Sequence, residues 1–279
     1  MVRRAAFRHK LLRAPLVRAY HRDLVPEDAF LASYPRSGVT WLRFVLCEAL
    51  TGRPAEFGSV RRDSPYIGRH RNGSRILGGG GRLIRTHETY TDGDRRVVYL
   101  VRDPRSVVVS EYAWQHRRRL GPGSMDGFVA DFVAGRLNPW GSWGQHVRSW
   151  LDSLAARNNN VLVVKFEDLR HDTEGVVSRI LSFLGESRDA SVVRDAVAGN
   201  TLEEMRAKEA RRRQEVAAGA QRESLLARFR SVRRDIPFVN AGSVEGWKQR
   251  LSPGQAELIA RTWAGTLEHL GYVDERVER

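Results

Sequence analysis

Two stretches of this chain gather residues that grip anions. The first is Tyr34-Pro35-Arg36-Ser37-Gly38-Val39-Thr40-Trp41, which follows an apolar run and precedes an amphipathic one. A turn at such a junction aims several backbone N–H groups and the N-terminus of the next helix at one point, which is a ready anion site. Gly38 lets the backbone approach a ligand closely. Ser37 and Thr40 add hydroxyl donors, Val39 adds a backbone N–H, and Arg36 adds a fixed positive charge. The second stretch is Val101-Arg102-Asp103-Pro104-Arg105-Ser106-Val107-Val108-Val109-Ser110. Arg102 ends a buried run, where open α/β sheets place their ligands. Pro104 suits a first helical turn, and Ser110 falls two turns further on. One strand-end arginine and one helix serine can hold a second phosphate. Taken singly, each feature also fits a plainer role: an ordinary strand–helix turn, an ion-paired arginine, a tolerated helix serine.

The elements that must carry these residues follow from periodicity. Four short apolar runs predict buried strands: 29–34, 82–86, 96–101 and 161–166. The last two, RVVYLV and VLVVKF, have the Val-rich character of parallel strands. Helical patterns occupy 40–50, 104–118, 143–156 and 174–184. Ser252-Pro253-Gly254-Gln255 is a capping box with Pro at the first helical position, opening a helix to about His269. Strands alternating with helices predict an α/β fold with a central, mainly parallel sheet flanked by helices. Gly68 to Arg82 reads as a mobile loop. No internal repeat or linker marks a boundary within the chain, so a single main domain is expected.

Composition narrows the function classes. The chain has 279 residues, 41% of them hydrophobic and 29% charged, as in ordinary globular proteins. Its formal net charge is +14, and Lys10, Lys165, Lys208 and Lys248 are its only lysines, so nearly all the cationic side chains are arginines. Arginine binds phosphate in bidentate fashion, and this charge suggests a polyanionic partner or cofactor. No apolar run approaches the roughly 20 residues that span a bilayer. The N-terminus lacks the continuous apolar stretch of a signal peptide. Cys47 is the lone cysteine, which forbids an intrachain disulfide, and a cytoplasmic location is expected. No cysteine–histidine zinc spacing occurs, and no metal is expected.

The phosphate-like loop is not a Walker A loop. The G-x-x-x-x-G-K-[ST] spacing is absent, and no lysine lies between Lys10 and Lys165. A small-molecule kinase or other P-loop-like transferase, which would need that lysine and a metal-binding carboxylate, is the alternative enzyme class. A nucleic-acid-binding protein would suit the charge, but no zinc finger, RNP or helix-turn-helix signature is present, so no nucleic acid partner is expected.

Together these residues resemble the cytosolic-type sulfotransferase family. LASYPRSGVTWL is similar to that family's phosphosulfate loop, and VRDPRSVVVS to its R-x-P-x-x-x-x-x-S element. Arg85-Thr86-His87 resembles its K-T-H. Gly141 to Val147 (GSWGQHV) resembles its G-S-W-x-x-H-V, and Phe166-Glu167-Asp168 its Y-E-D. Thr201 to Met205 (TLEEM) resembles its S-F-x-x-M, and Gly242 to Lys248 (GSVEGWK) the end of its R-K-G-x-x-G-x-W-K. The motifs occur in the family's order over residues 28 to 271.

The resemblance implies an enzyme that moves a sulfuryl group from 3′-phosphoadenosine-5′-phosphosulfate (PAPS) to an acceptor hydroxyl by in-line displacement. It implies His87 as general base and Arg36 on the bridging oxygen of the donor. Arg36, Ser37, Gly38, Val39, Thr40 and Trp41 would bind the donor, with Arg102 and Ser110 at the 3′-phosphate. Trp41 would stack on adenine near Phe166, Thr201 and Met205, and Asn240, Ala241 and Gly242 would also lie against the donor. His146 is a candidate acceptor-pocket residue beside His87. Three positions depart from the family's pattern: Arg36 replaces its loop lysine, Val39 a loop threonine, and Asn240-Ala241 its Arg-Lys pair. The last change removes two positive charges expected at the 3′-phosphate, which Arg233 or Arg234 could restore. The acceptor would be a small molecule, a glycan or a lipid. Residues 28–272 are expected to form this domain, between a basic segment, 1–27, and a tail, 273–279. Within the basic segment, Arg3 to Arg22 interleaves seven cations with Leu11, Leu12, Leu16 and Val17, and a weak electrostatic contact with anionic membranes is expected there.

Overall fold

The computed structural model of the protein describes residues 17–91, 93–118, 120, 123–220 and 243–272. Four strands, β1 (Ala29–Ser33), β2 (Leu83–Thr86), β3 (Val97–Val101) and β4 (Val161–Lys165), form one sheet in the order β2-β1-β3-β4. Every pairing is parallel. The two central strands are buried along their whole length, as a sheet covered on both faces requires.

The pleat sends alternate residues to opposite layers. Leu31, Val98 and Leu100 join a core with Leu42, Leu46, Val177 and Ile180, which come from helices α1 (Val39–Thr51) and, as defined below, α8. Phe30, Ala32, Tyr99 and Val101 join a second core with Val107, Phe132, Trp143 and Trp150. That layer is built by α3 (Pro104–Arg117), α4 (Met125–Val133) and α5 (Trp143–Leu151), closed by α11 (Pro253–Thr262) and α12 (Ala264–His269). The other helices are α2 (Ser59–Asp63), α6 (Leu154–Arg157), α7 (Phe166–His171), α8 (Thr173–Leu184), α9 (Ala190–Ala198) and α10 (Leu202–Ala220).

The strands lie within a residue of their expected bounds, and the later helices differ for local reasons. The stretch 143–156 is two helices, because the Ser153 side chain accepts from Ala156 N–H and caps a fresh start. The capping box at Ser252 is present with Pro253 at the first position, but its helix breaks at Trp263. There the indole packs 5.3 Å from Trp143 and 5.4 Å from Phe132, so tertiary packing overrides helix continuity. Residues 68–82 hold no regular element, yet Ser74 donates to Asp63 (2.7 Å), Gly78 N–H to Glu186 (2.5 Å), and Leu77 is buried. That span is therefore a pinned loop.

At the N-terminal end of the sheet a buried ion pair ties β1 to β2. Arg82 meets Asp28 at 2.6 Å and also donates to the carbonyls of His70 and Asp23. Of the basic N-terminal segment, residues 17–22 pack on the domain: Val17 is buried, and the Arg22 carbonyl accepts from His70 Nε2 at 3.0 Å. Residues 1–16, the tail 273–279, Arg233, Arg234, and the candidate donor-binding residues Asn240, Ala241 and Gly242 lie outside the described residues. No helix among the described residues is long and apolar enough to cross a membrane.

Candidate active site

The order β2-β1-β3-β4 reverses direction at β1, so the loops leaving β1 and β3 part there and open a crevice, as at the switch point of doubly wound sheets. All four strand ends feed it. β1 runs into the loop 34–38, β2 into His87, β3 into Arg102, and β4 into Phe166.

The β1 loop turns through two left-handed residues, Arg36 (φ 72°) and Gly38 (φ 93°). A Cβ on Gly38 would stand 2.4 Å from the Phe166 ring, so only glycine fits the turn against that ring. Ser37 is fully buried and, among the described residues, its Oγ has no hydrogen-bond partner. Val39 and Thr40 begin α1, whose first N–H groups face the same loop.

A cavity of about 730 Å³ opens beside this loop. Of the sequence candidates, Arg36, Gly38, Trp41, Arg102, Ser110, Phe166 and Met205 line it. The Trp41 ring stands edge-on to Phe166, with Nε1 donating to the Asn200 carbonyl at 2.7 Å. Arg102 lies over the Phe166 ring at 4.4 Å and donates to the Ser243 carbonyl at 2.8 Å, while its buried Nε has no partner. Arg36 Nε donates to Ser110 Oγ at 3.3 Å and lies 4.0 Å from the Glu111 carboxylate. Burial pushes the Arg36 guanidinium down to about 10, which leaves it a cation at neutral pH. Thr201 is not on the cavity wall. Its Oγ1 accepts from Glu204 N–H and caps α10, leaving Leu202 and Met205 to face the cavity.

The cavity also has a wall of residues to which the sequence reading gave no donor role. Ser106, Arg117, Arg170 and Trp247 line it, and Arg170 sits 5.3 Å over Trp41. Helical spacing could have revealed part of this, since Ser106, Ser110 and Arg117 share one face of α3. Trp247 belongs to the GSVEGWK motif, whereas Arg170 reaches the cavity only through the tertiary fold.

His87 stands across β1 from the cavity, between the rings of Trp140 (5.4 Å) and Tyr66 (6.3 Å). The pairing of Ala32 with Thr86 places His87 beside Ser33, and His87 Nδ1–H donates to the Ser33 carbonyl at 2.7 Å. That bond fixes the tautomer and leaves the lone pair on Nε2. Arg85 Nη2 donates to that nitrogen at 2.7 Å. Burial, then the adjacent Arg85 charge, hold His87 well below the ordinary imidazole range, so the ring is neutral near pH 7. Arg85 is itself buried, with its face on Tyr66 at 4.4 Å and its Nε unpaired.

Helix α5 braces this corner. Its capping box, Ser142 with Gln145, starts the helix, and residues 143, 146 and 150 follow at helical spacing. Trp143 Nε1 donates to the Arg102 carbonyl, His146 Nε2 to the His87 carbonyl, and Trp150 Nε1 to the Glu88 carbonyl, at 3.0–3.1 Å. His146 is completely buried and its Nδ1 accepts from Tyr99 OH at 2.9 Å. Its contact with the site therefore runs through the His87 main chain. Among the described residues, no group of three or more His, Cys, Asp or Glu side chains stands together as a metal-ion site.

The orphaned atoms suit a phosphorylated ligand. Ser37 Oγ and Arg102 Nε are buried donors without partners, and such groups cost about 1–3 kcal/mol each when left unmet. Both belong to the two anion-gripping stretches of the sequence, and an aromatic surface, Trp41 and Phe166, adjoins them.

Comparison with known proteins agrees with this geometry. The sulfotransferase domain family matches residues 26–271. Human sulfotransferase 2B1 is 28% identical over 259 residues, covering 87% of this chain and 66% of that protein, just under two thirds of its length. Mouse sulfotransferase 2A1 is 27% identical over 255 residues, covering 85% and 83%. Among solved structures, mouse sulfotransferase SULT7A1 complexed with PAP superposes with a TM-score of 0.63 at 20% identity, covering 92% of this chain and 90% of that one. Retinol dehydratase in complex with androsterone and the inactive cofactor PAP gives 0.67 at 18% identity, covering 95% and 88%.

Proposed function

Because this chain belongs to the sulfotransferase domain family, we propose that it transfers a sulfuryl group from PAPS to the hydroxyl of a small-molecule acceptor, with His87 as general base. The observation that carries this reading is the placement of two partnerless buried donors, Ser37 Oγ and Arg102 Nε, beside an aromatic-walled cavity and one strand away from a neutral, oriented histidine.

PAPS supplies the activated sulfuryl group and a stable phosphate leaving group. The chain's residues do the rest. The loop 34–38 and the first turn of α1 hold the phosphosulfate end, where Arg36 stands as a cation beside the bond that breaks. Arg102 and Ser110 hold the 3′-phosphate and so fix the donor's position. Trp41 and Phe166 face the adenine. His87 takes the acceptor's proton at Nε2, because Nδ1–H is committed to Ser33. To accept that proton, Nε2 must exchange its bond from Arg85 for one from the acceptor hydroxyl. Arg85 is then a cation beside the transferring group. Tyr66 and Trp140 form aromatic walls around the reacting hydroxyl, and His146 keeps the His87 main chain in place.

An acceptor screen with PAPS, read as a mass gain of one sulfuryl group on the acceptor, tests this. Sulfation by the wild type that disappears in His87→Ala supports the assignment. Sulfation unaffected by that change removes His87 from the chemistry. Phosphorylation from ATP in the same screen would replace the donor assignment.

A further inference from the structure

The neutral pair Asn240-Ala241 leaves a charge deficit, since the resemblance predicts two cations there for the 3′-phosphate. A cation on the opposite wall can make it up. Arg117 closes α3 seven residues after Ser110, two helical turns along the same face. Ser110 and Arg117 line the same cavity, and Ala113 lies between them on its wall. The small Ala113 side chain leaves that stretch of the wall open. Long helical side chains lean toward the helix N-terminus, which carries the Arg117 head back along this face toward Ser110. Two of its guanidinium nitrogens, Nε and Nη2, are buried without a hydrogen-bond partner, and among the described residues Arg117 makes no ion pair. Two other arginines of this cavity have carboxylates nearby: Arg36 has Glu111 at 4.0 Å, and Arg102 feels Glu167 and Asp103. Arg117 also lowers the proton affinity of Arg36, so the two cations share one field.

We propose that Arg117 binds the 3′-phosphate of the donor, from the helix side, in the role left open at Asn240-Ala241. This rests on the PAPS reading given above. The dianion matches the charge of two cations, Arg102 and Arg117, and Ser110 adds a hydroxyl donor on the same cavity wall. Glu111 and Trp114, also on α3, contact Arg36.

The test is calorimetric titration of 3′-phosphoadenosine-5′-phosphate (PAP) and of adenosine 5′-phosphate into wild type, Arg117→Met and Arg117→Lys. Arg117→Met should weaken PAP at least tenfold, the scale of a charge-assisted hydrogen bond, and change adenosine 5′-phosphate less than twofold. Arg117→Lys should fall between. The unfolding midpoint without nucleotide should hold or rise in Arg117→Met, because an unpaired buried cation is removed. Equal losses for both nucleotides, or a lowered midpoint in both variants, would make Arg117 structural and overturn the proposal. An unchanged PAP affinity with a raised acceptor KM would assign the cation to an acidic acceptor and overturn it too. Should the wild type fail to prefer PAP over adenosine 5′-phosphate, the donor reading itself falls and takes this one with it.

Discussion

The two ends of the sheet treat buried arginine in opposite ways. At the N-terminal end, Arg82 is closed in by the Asp28 carboxylate and two backbone carbonyls. At the C-terminal end, among the described residues, Arg85, Arg102 and Arg117 each keep at least one buried nitrogen without a partner, and Ser37 Oγ joins them. One sheet thus buries the same residue type at both ends. Where the chain supplies the partner, the arginine is a strut between β1 and β2. Where it does not, burial without compensation costs free energy, and a ligand that supplies the missing acceptors recovers it. The orphaned donors therefore mark the binding end without reference to any motif.

Breaking the strut should give the largest effect on stability. Arg82→Met leaves the Asp28 carboxylate buried without its cation, held only by the Val25 and residue-82 backbone N–H groups, and should cost about 3–5 kcal/mol in denaturant unfolding. Arg102→Met without nucleotide should change the same measurement far less. Equal losses from the two would erase the contrast. On turnover, His87→Ala should lose roughly 10²- to 10⁴-fold, the usual range for a general base, with PAP affinity by titration unchanged. Arg102→Met should weaken PAP by about 2–3 kcal/mol, as for a hydrogen bond to a charged group, yet leave adenosine-5′-phosphosulfate nearly unaffected because it lacks the 3′-phosphate.

The smallest expected effect is on pH dependence. His87 sits below the ordinary imidazole value because of burial and then Arg85. The unfolded chain takes up this proton near pH 6.5 and the folded chain only at lower pH, so stability from this group is present above 6.5 and declines as pH falls below it. The acid limb of kcat/KM should likewise lie below 6.5. Arg85→Met removes a repelling charge and should move that limb upward. A limb that stays in place would show that burial alone sets the value.

Much of this was legible before any coordinates. The strands announce themselves as short Val-rich runs, because a sheet covered on both faces needs apolar residues on both sides of every central strand. The loop 34–41 and the element 101–110 mark a candidate anion-binding end through residue types that bind anions. His87 came from the resemblance, and its neutral state and its bond from Arg85 came from the fold. The bracing role of α5 is hidden in the sequence, where Trp143 and Trp150 fit a core face and His146 an acceptor pocket, because the partners of their polar atoms emerge only in three dimensions. The Thr201 hydroxyl caps α10, a use of this side chain that favours helix N-termini. Arg117 carries no motif at all. It is visible only in the fold, as a half-buried cation with two buried nitrogens unmet among the described residues.

Thermal unfolding with and without PAP tests the central contrast most directly. Ligand binding to the native state alone stabilises it by mass action. PAP should raise the wild-type midpoint. Arg102→Met should start near the wild-type midpoint and gain much less, whereas Arg82→Met should start well below it and gain as much as the wild type. A wild-type midpoint that PAP leaves unmoved, or an Arg102→Met protein as destabilised without nucleotide as Arg82→Met, would contradict the account.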